Sequence, residues 1–326
     1  MALAHQAIAL NDSLAVAHSL VSLISARRQQ SAQAIAEGER AVALDPNSAT
    51  SAVWLGEVLN YEGRPAEAIG WAEKAMRLDP HYPYWFAVVL SSSYALTGRC
   101  AEAIATSKQA LLRSPHGFLY TQLAGNYLAR WGAQLSQDPQ TIEQAMAAAQ
   151  QAVVLMDSFW GSHATLGYVY LSQKQYEQAI AEMGRAVVLY PTGAESYASL
   201  AVVLSHMGKT EEALQAAAQA LQLKPLIPDS HLADVGIAYA AAEHYEEARA
   251  ALQRFLSRYP NLVLPHLALA GVYSQLGQDV EARAEAAEVL RLNPNFSLEG
   301  LRKRLPFKDP AAAEQYLASL RKAGLK

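Results

Sequence analysis

The chain has 326 residues, more than one ordinary hydrophobic core organises, so several domains or a repeat array are expected. Charged residues make up 17% and hydrophobic ones 52%, a folded and soluble composition rather than a disordered one. The net charge of −4 carries no electrostatic footprint for nucleic acid or an anionic membrane.

The opening stretch, MALAHQAIAL, has no basic n-region, and His5 and Gln6 interrupt its apolar residues, which argues against a signal peptide. No apolar run approaches the roughly 18–20 residues needed to cross a bilayer. Cys100 is the single cysteine and has no internal partner, which suits a reducing compartment. A cytoplasmic protein is the expectation. Residues 1–12 read as the second helix of a helix pair whose first helix is missing, with Ala7 on a packing position and Asp12 where a terminal proline would stand. That start points to a piece of a longer protein; the alternative is a true start whose half-repeat serves as a cap.

From residue 13 onward, short phrases ending in proline act as a ruler: LDP at Pro46, LDP at Pro80, RSP at Pro115, LYP at Pro191, LKP at Pro225, RYP at Pro260 and LNP at Pro294. Their spacings are 34, 35, 76, 34, 35 and 34, and the long gap hides one more unit ending near Asp157. In the unit from Ala49 to Pro80, Leu55 and Gly56 sit mid-way along a first helix, and Gly63 ends it. Ala68, Ala72 and Ala75 line a second helix, and small residues at Gly56 and Ala68 let the two approach closely. Gly63 supplies the left-handed turn conformation that a Cβ penalises, and the proline stops the unit. The same frame fits the units opening at Tyr84, Trp160, Ala194, Asp229 and Val263; in the weaker unit from Ala15, Gln29 stands where glycine is usual. Glu67, Glu102, Glu143, Glu177, Glu212, Glu247 and Glu281 recur in the first turns of the second helices, where each complements the helix dipole rather than forming a catalytic row.

The unit from Gly117 is stretched by an insertion near 129–141. Two readings stay open: a longer first helix followed by an inert loop, or a projection from a binding face with Trp131 as its key residue. Beyond Pro294 the period stops, and residues 295–326 read as two capping helices, the first capped by Ser297 and the second started by Asp309 and Pro310. The stretch 297–326 holds seven Lys/Arg and three Asp/Glu, a locally basic end read as a solvated cap or as a contact for an acidic partner.

These positions, agreeing in one register at a period of about 34, resemble the tetratricopeptide repeat family over residues 13–294, eight units in all. The resemblance implies an all-α, right-handed superhelical solenoid of antiparallel helix pairs. A second resemblance lies in Asn295–Glu299, Leu305–Pro310 and Leu320–Leu325, with Glu37–Ala41 and Met76–Pro83. They are similar to tetratricopeptide regions of bacterial proteins that follow a class III adenylyl/guanylyl cyclase or a DNA-binding regulator domain. It implies a bacterial sensory or regulatory array, without cyclase activity in this chain.

Nothing in the sequence co-locates chemistry. No two of the nine histidines lie three to five residues apart, so no metal site is expected, nor any cofactor. His18, His163 and His266 share one repeat position, as packing or half-exposed residues. Neither a phosphate loop nor a Gly-x-Ser-x-Gly elbow occurs, and no enzyme activity is expected. By resemblance, positions 2, 5, 6, 9, 12 and 13 of each unit face a concave groove. The candidates there are Trp54, Glu57, Tyr61, Trp85, Phe118, Thr121 and Tyr168. Lysine and arginine are nearly absent from these positions, so the carboxylate clamp of some family members is not supported. Aromatic rings are the usual anchors of hot spots. A groove for an extended or helical apolar segment of another protein is the expected function, each ring having packing between repeats as its alternative. The second reading is an oligomerisation or regulatory module of a larger signalling protein, with possible self-association.

Overall fold

The computed structural model describes residues 1–223 and 231–326, and all regular structure among them is helical. The phrase ending at Pro225 and the unit start at Asp229 lie outside the described residues.

The chain divides into two compact units, Met1–Pro115 and His116–Lys326. The first holds α1 (Ala2–Leu10), α2 (Ala15–Arg27), α3 (Ser31–Leu44), α4 (Ala49–Tyr61), α5 (Pro65–Leu78), α6 (Tyr84–Leu96) and α7 (Cys100–Arg113). Helices α2 and α3, α4 and α5, and α6 and α7 pack as pairs, and α2, α4 and α6 touch one another in sequence. Close approach needs small side chains: Ala68, Ala72 and Ala75 are fully buried, and a Cβ on Gly56 would stand 3.2 Å from the Ala68 carbonyl oxygen. Pro65 starts α5, where its missing N–H costs nothing.

The second unit holds α8 (Gly117–Gly132), α9 (Gln140–Leu155), α10 (Trp160–Ser172), α11 (Tyr176–Leu189), α12 (Ala194–His206), α13 (Thr210–Leu223), α14 (Leu232–Ala241), α15 (Tyr245–Arg258), α16 (Val263–Gln275) and α17 (Asp279–Leu292). Two further helices, α18 (Leu298–Arg304) and α19 (Pro310–Lys322), close it. Here α8, α10, α12, α14 and α16 stand side by side as one wall, each backed by the helix that follows it. Ser297 caps α18 by accepting from the Gly300 N–H, and Asp309 caps α19 by accepting from the Ala311 N–H.

The turn within each pair takes a left-handed residue. Gly63, Gly98, Gly208 and Gly277 fill it with φ of 72–78°, but Gln29, Lys174 and Glu243 fill it with side chains at φ of 59–62°. A Cβ is penalised there, so Lys174→Gly is expected to stabilise the second unit by about 0.5–1 kcal/mol in urea denaturation.

The repeat also carries a buried staple. The His18, His163 and His266 rings are 2–6% exposed. Each Nδ1 meets a glutamate nineteen residues on, Glu37 at 2.6 Å, Glu182 at 2.7 Å and Glu285 at 2.5 Å. Each Nε2 meets a backbone carbonyl six residues back, of Asp12, Asp157 and Pro260. With a partner at both nitrogens, each ring ties the first helix to the second and to the preceding turn.

Candidate functional site

In the first unit, Trp54, sixth in α4, and Trp85, second in α6, meet across neighbouring first helices. Their ring centroids are 6.2 Å apart, tilted by 38°. Both are half-buried, with one side packed on a core built from Val53, Phe86, Val89 and Ala72. Trp85 meets the buried Phe86 edge-on at 4.4 Å, which holds its plane. Tyr61, at the end of α4, is 39% exposed. Glu57 lies one helical turn beyond Trp54, 3.6 Å from Arg27. Burial raises its pKa, with Arg27 opposing the shift. Trp54, Trp85 and Glu57 therefore share one unit and one helix layer, with apolar rings beside a partly desolvated carboxylate.

Phe118, Thr121 and Tyr168 belong to the second unit. Phe118 stacks on His116 at 5.6 Å and meets Phe159 edge-on at 4.6 Å, in a run of rings that continues through Trp160 to Tyr190. That ring packs between neighbouring repeats. The Thr121 hydroxyl donates to the Gly117 carbonyl at 3.0 Å and lies 3.4 Å from Ser162 Oγ, so it too serves packing. The Tyr168 hydroxyl donates to Asp234 Oδ2 at 3.1 Å, linking α10 to α14. Burial and the Asp234 carboxylate push the Tyr168 pKa well up, so the phenol keeps its proton.

The insertion is bonded into the second unit. Helix α8 runs to Gly132, where a Cβ would stand 3.4 Å from Leu264 of α16. The loop after it is bonded to the C-terminal segment. Asn293 donates to the Ala133 carbonyl at 2.9 Å, and the Gln134 amide exchanges two hydrogen bonds with the Ser297 backbone, at 2.9 and 3.3 Å. Arg304 lies over the Trp131 ring at 4.1 Å and donates to the carbonyls of Trp131 and Ser136, at 2.5 and 3.0 Å. Further along, the Lys308 N–H donates to the His206 carbonyl at 2.9 Å, the Tyr176 hydroxyl donates to the Phe307 carbonyl at 3.0 Å, and Phe307 lies on the His206 ring at 4.9 Å. Residues 304–308 thus cross the wall of first helices, and a cavity of about 580 Å³ remains between that wall and the covering segment.

Sequence reasoning singled out Trp131 but not Gln134, Asn293 or Arg304, whose partners lie 160 or more residues away and leave no local pattern. The histidine staple did leave a signal, a glutamate nineteen residues after each of three equivalent histidines. Among the described residues no group of three or more His, Cys, Asp or Glu could hold a metal ion, and no helix is long and apolar enough to cross a membrane.

Such stacked antiparallel helix pairs, with first helices as one wall, define an α-solenoid, a class that works through its surfaces. Four family models, each described as tetratricopeptide repeat, match residues 25–83, 161–192, 184–215 and 235–262. The chain carries tetratricopeptide repeats at those residues, and its fold is an all-α solenoid of stacked helix pairs.

Solved structures agree at the level of fold. A chain in the crystal structure of the APC/C hetero-tetramer Cut9-Hcn1 matches with TM-score 0.59 and 16% identity, over 96% of this chain and 56% of that one. Human IFIT1, solved as a dimer with PPP-AAAA, matches with TM-score 0.58 and 17% identity, over 89% of this chain and 67% of that one. TTC0263, a thermophilic tetratricopeptide-repeat protein of Thermus thermophilus, matches with TM-score 0.54 and 24% identity, over 60% of this chain and all of that one. This chain therefore spans little more than half of the Cut9-Hcn1 chain that it matches. A search of curated proteins returns no match.

Proposed function

We propose that the protein is a non-enzymatic scaffold that holds a segment of another polypeptide against the wall of first helices. The contact is centred in the first unit on Trp54, Trp85 and Tyr61. The observation that carries this reading is the half-exposed tryptophan pair, fixed from behind by a buried core and flanked by Glu57. Rigid aromatic surface of this kind binds at low entropic cost. The partner it fits is an extended or helical segment with large apolar side chains. In the second unit the corresponding wall is covered by residues 304–308 of the chain itself. The family's repertoire and the absence of co-located nucleophile, base or metal ligands in the sequence both support a binding role without chemistry.

The test is a peptide library displayed against the wild type and against Trp54→Ala/Trp85→Ala. The variant is expected to lose at least tenfold in affinity for the selected apolar peptides while still melting cooperatively. Equal affinity in a folded variant overturns the assignment. The tail phrases around Leu305–Pro310 favour a second reading, an oligomerisation or regulatory array in the cytoplasm of a bacterium, within a larger signalling protein such as a cyclase. Light scattering over a range of concentrations separates the two: a monomer supports an external partner, and a dimer dissolved by the tryptophan substitutions supports the second.

A further inference from the structure

The cavity enclosed in the second unit is distinct from the tryptophan pair, and the inference drawn from it does not rest on the peptide reading. Its volume of about 580 Å³ falls in the range of sites for small organic molecules. Its walls are mostly aliphatic and aromatic, with the rings of Trp131, Tyr168, Tyr245, Phe307 and Tyr316 among the lining residues. Among the described lining residues the charge is one-sided: the carboxylates of Asp234, Glu243 and Asp309 stand against the guanidinium of Arg304. Arg304 is already committed to the Trp131 ring and two carbonyls. Asp309 caps α19, and Glu243 is exposed in the turn after α14. Asp234 is the carboxylate on the helix wall, where the Tyr168 hydroxyl donates to Oδ2 and, among the described residues, its ion-pair partner is His231, with Nδ1 at 3.9 Å. Burial lowers the pKa of His206, whose Nδ1 is bonded to the Val202 carbonyl, so that ring adds no positive charge at pH 7. The Tyr316 hydroxyl has no hydrogen-bond partner among the described residues, and burial raises its pKa, so it stays a phenol.

We infer that this chamber binds a small organic cation, an ammonium or amine with an apolar body, whose charged head sits on Asp234 among the aromatic rings and whose body fills the aliphatic remainder. The physical case is complementarity: a carboxylate in a half-enclosed apolar setting gains most from a cation that brings its own apolar surface, and aromatic faces add cation–π attraction.

The experiment is isothermal titration of the full chain with 4-phenylbutylammonium and with its neutral counterpart, 4-phenylbutan-1-ol, alongside Asp234→Asn and a remote control at an exposed carboxylate of the first unit, Glu39→Gln. The ammonium is expected to bind, the alcohol to bind at least tenfold more weakly, and Asp234→Asn to remove that preference while Glu39→Gln keeps it. Asparagine can still accept the Tyr168 hydroxyl, and an unchanged melting temperature checks that the chamber is intact. Tyr316→Phe, which removes only the lone hydroxyl, should leave the ammonium preference in place. No binding of the ammonium, equal binding of the alcohol, or a preference that survives Asp234→Asn overturns the inference.

Discussion

Replacing Glu285 by alanine is expected to destabilise the second unit by about 3 kcal/mol at pH 6, and by less as the pH rises. The reason is the staple at His266. Burial of the ring works against its charged form, but the Glu285 carboxylate and the Pro260 carbonyl, each accepting an N–H, outweigh it, with Glu288 adding to the field. The result is a pKa raised above the ordinary histidine value. A histidine whose folded pKa is raised contributes stability that is fully present below its unfolded pKa and is lost as pH climbs through the folded one. Removing Glu285 therefore costs most at low pH, where a buried imidazolium loses its counter-ion. Urea denaturation at several pH values measures this, and a penalty independent of pH would show that the ring is neutral. Glu285→Gln, which keeps an acceptor but not the charge, should fall between the two.

Arg304→Ala is expected to cost about 2–3 kcal/mol, through loss of two charge-assisted hydrogen bonds and the stacking on Trp131. Burial lowers the pKa of this guanidinium, the mark of a charge drawn out of water to make those contacts. The more telling effect is local. Arg304 joins α18 to the insertion, so its loss should raise amide hydrogen exchange together in residues 129–141 and 297–309, and leave α12 and α13 protected. Faster exchange in only one of the two segments would mean that they are held independently.

The scaffold was legible because its causes are local and repeated. Alanines at helix spacing, a glycine at four of the turns and a proline at most unit ends act within one unit, and the repetition averages out exceptions such as Gln29, which holds φ at 59° without glycine. The groove candidates were legible only in part. Trp54, sixth in α4, and Trp85, second in α6, both fall on positions that the repeat frame marks as candidates, yet that frame cannot tell an exposed ring from one packed like Phe118 against Phe159. That choice depends on which large side chain the next repeat presents.

What the sequence determined by itself, then, is the helix pair, its period and the small residues that let pairs stack, since propensity, capping and turn geometry operate over a few residues. Only the tertiary structure decided that the insertion and the C-terminal segment bind each other. Asn293 reaches Ala133 and Arg304 reaches Trp131 and Ser136 across 160–173 residues, and Tyr168 reaches Asp234 across 66. Those pairings arise because each repeat rotates slightly relative to the one before, and the summed rotation of five pairs carries the end of α17 to the end of α8. Such a sum is invisible in any single repeat, yet it turns an open wall into a chamber.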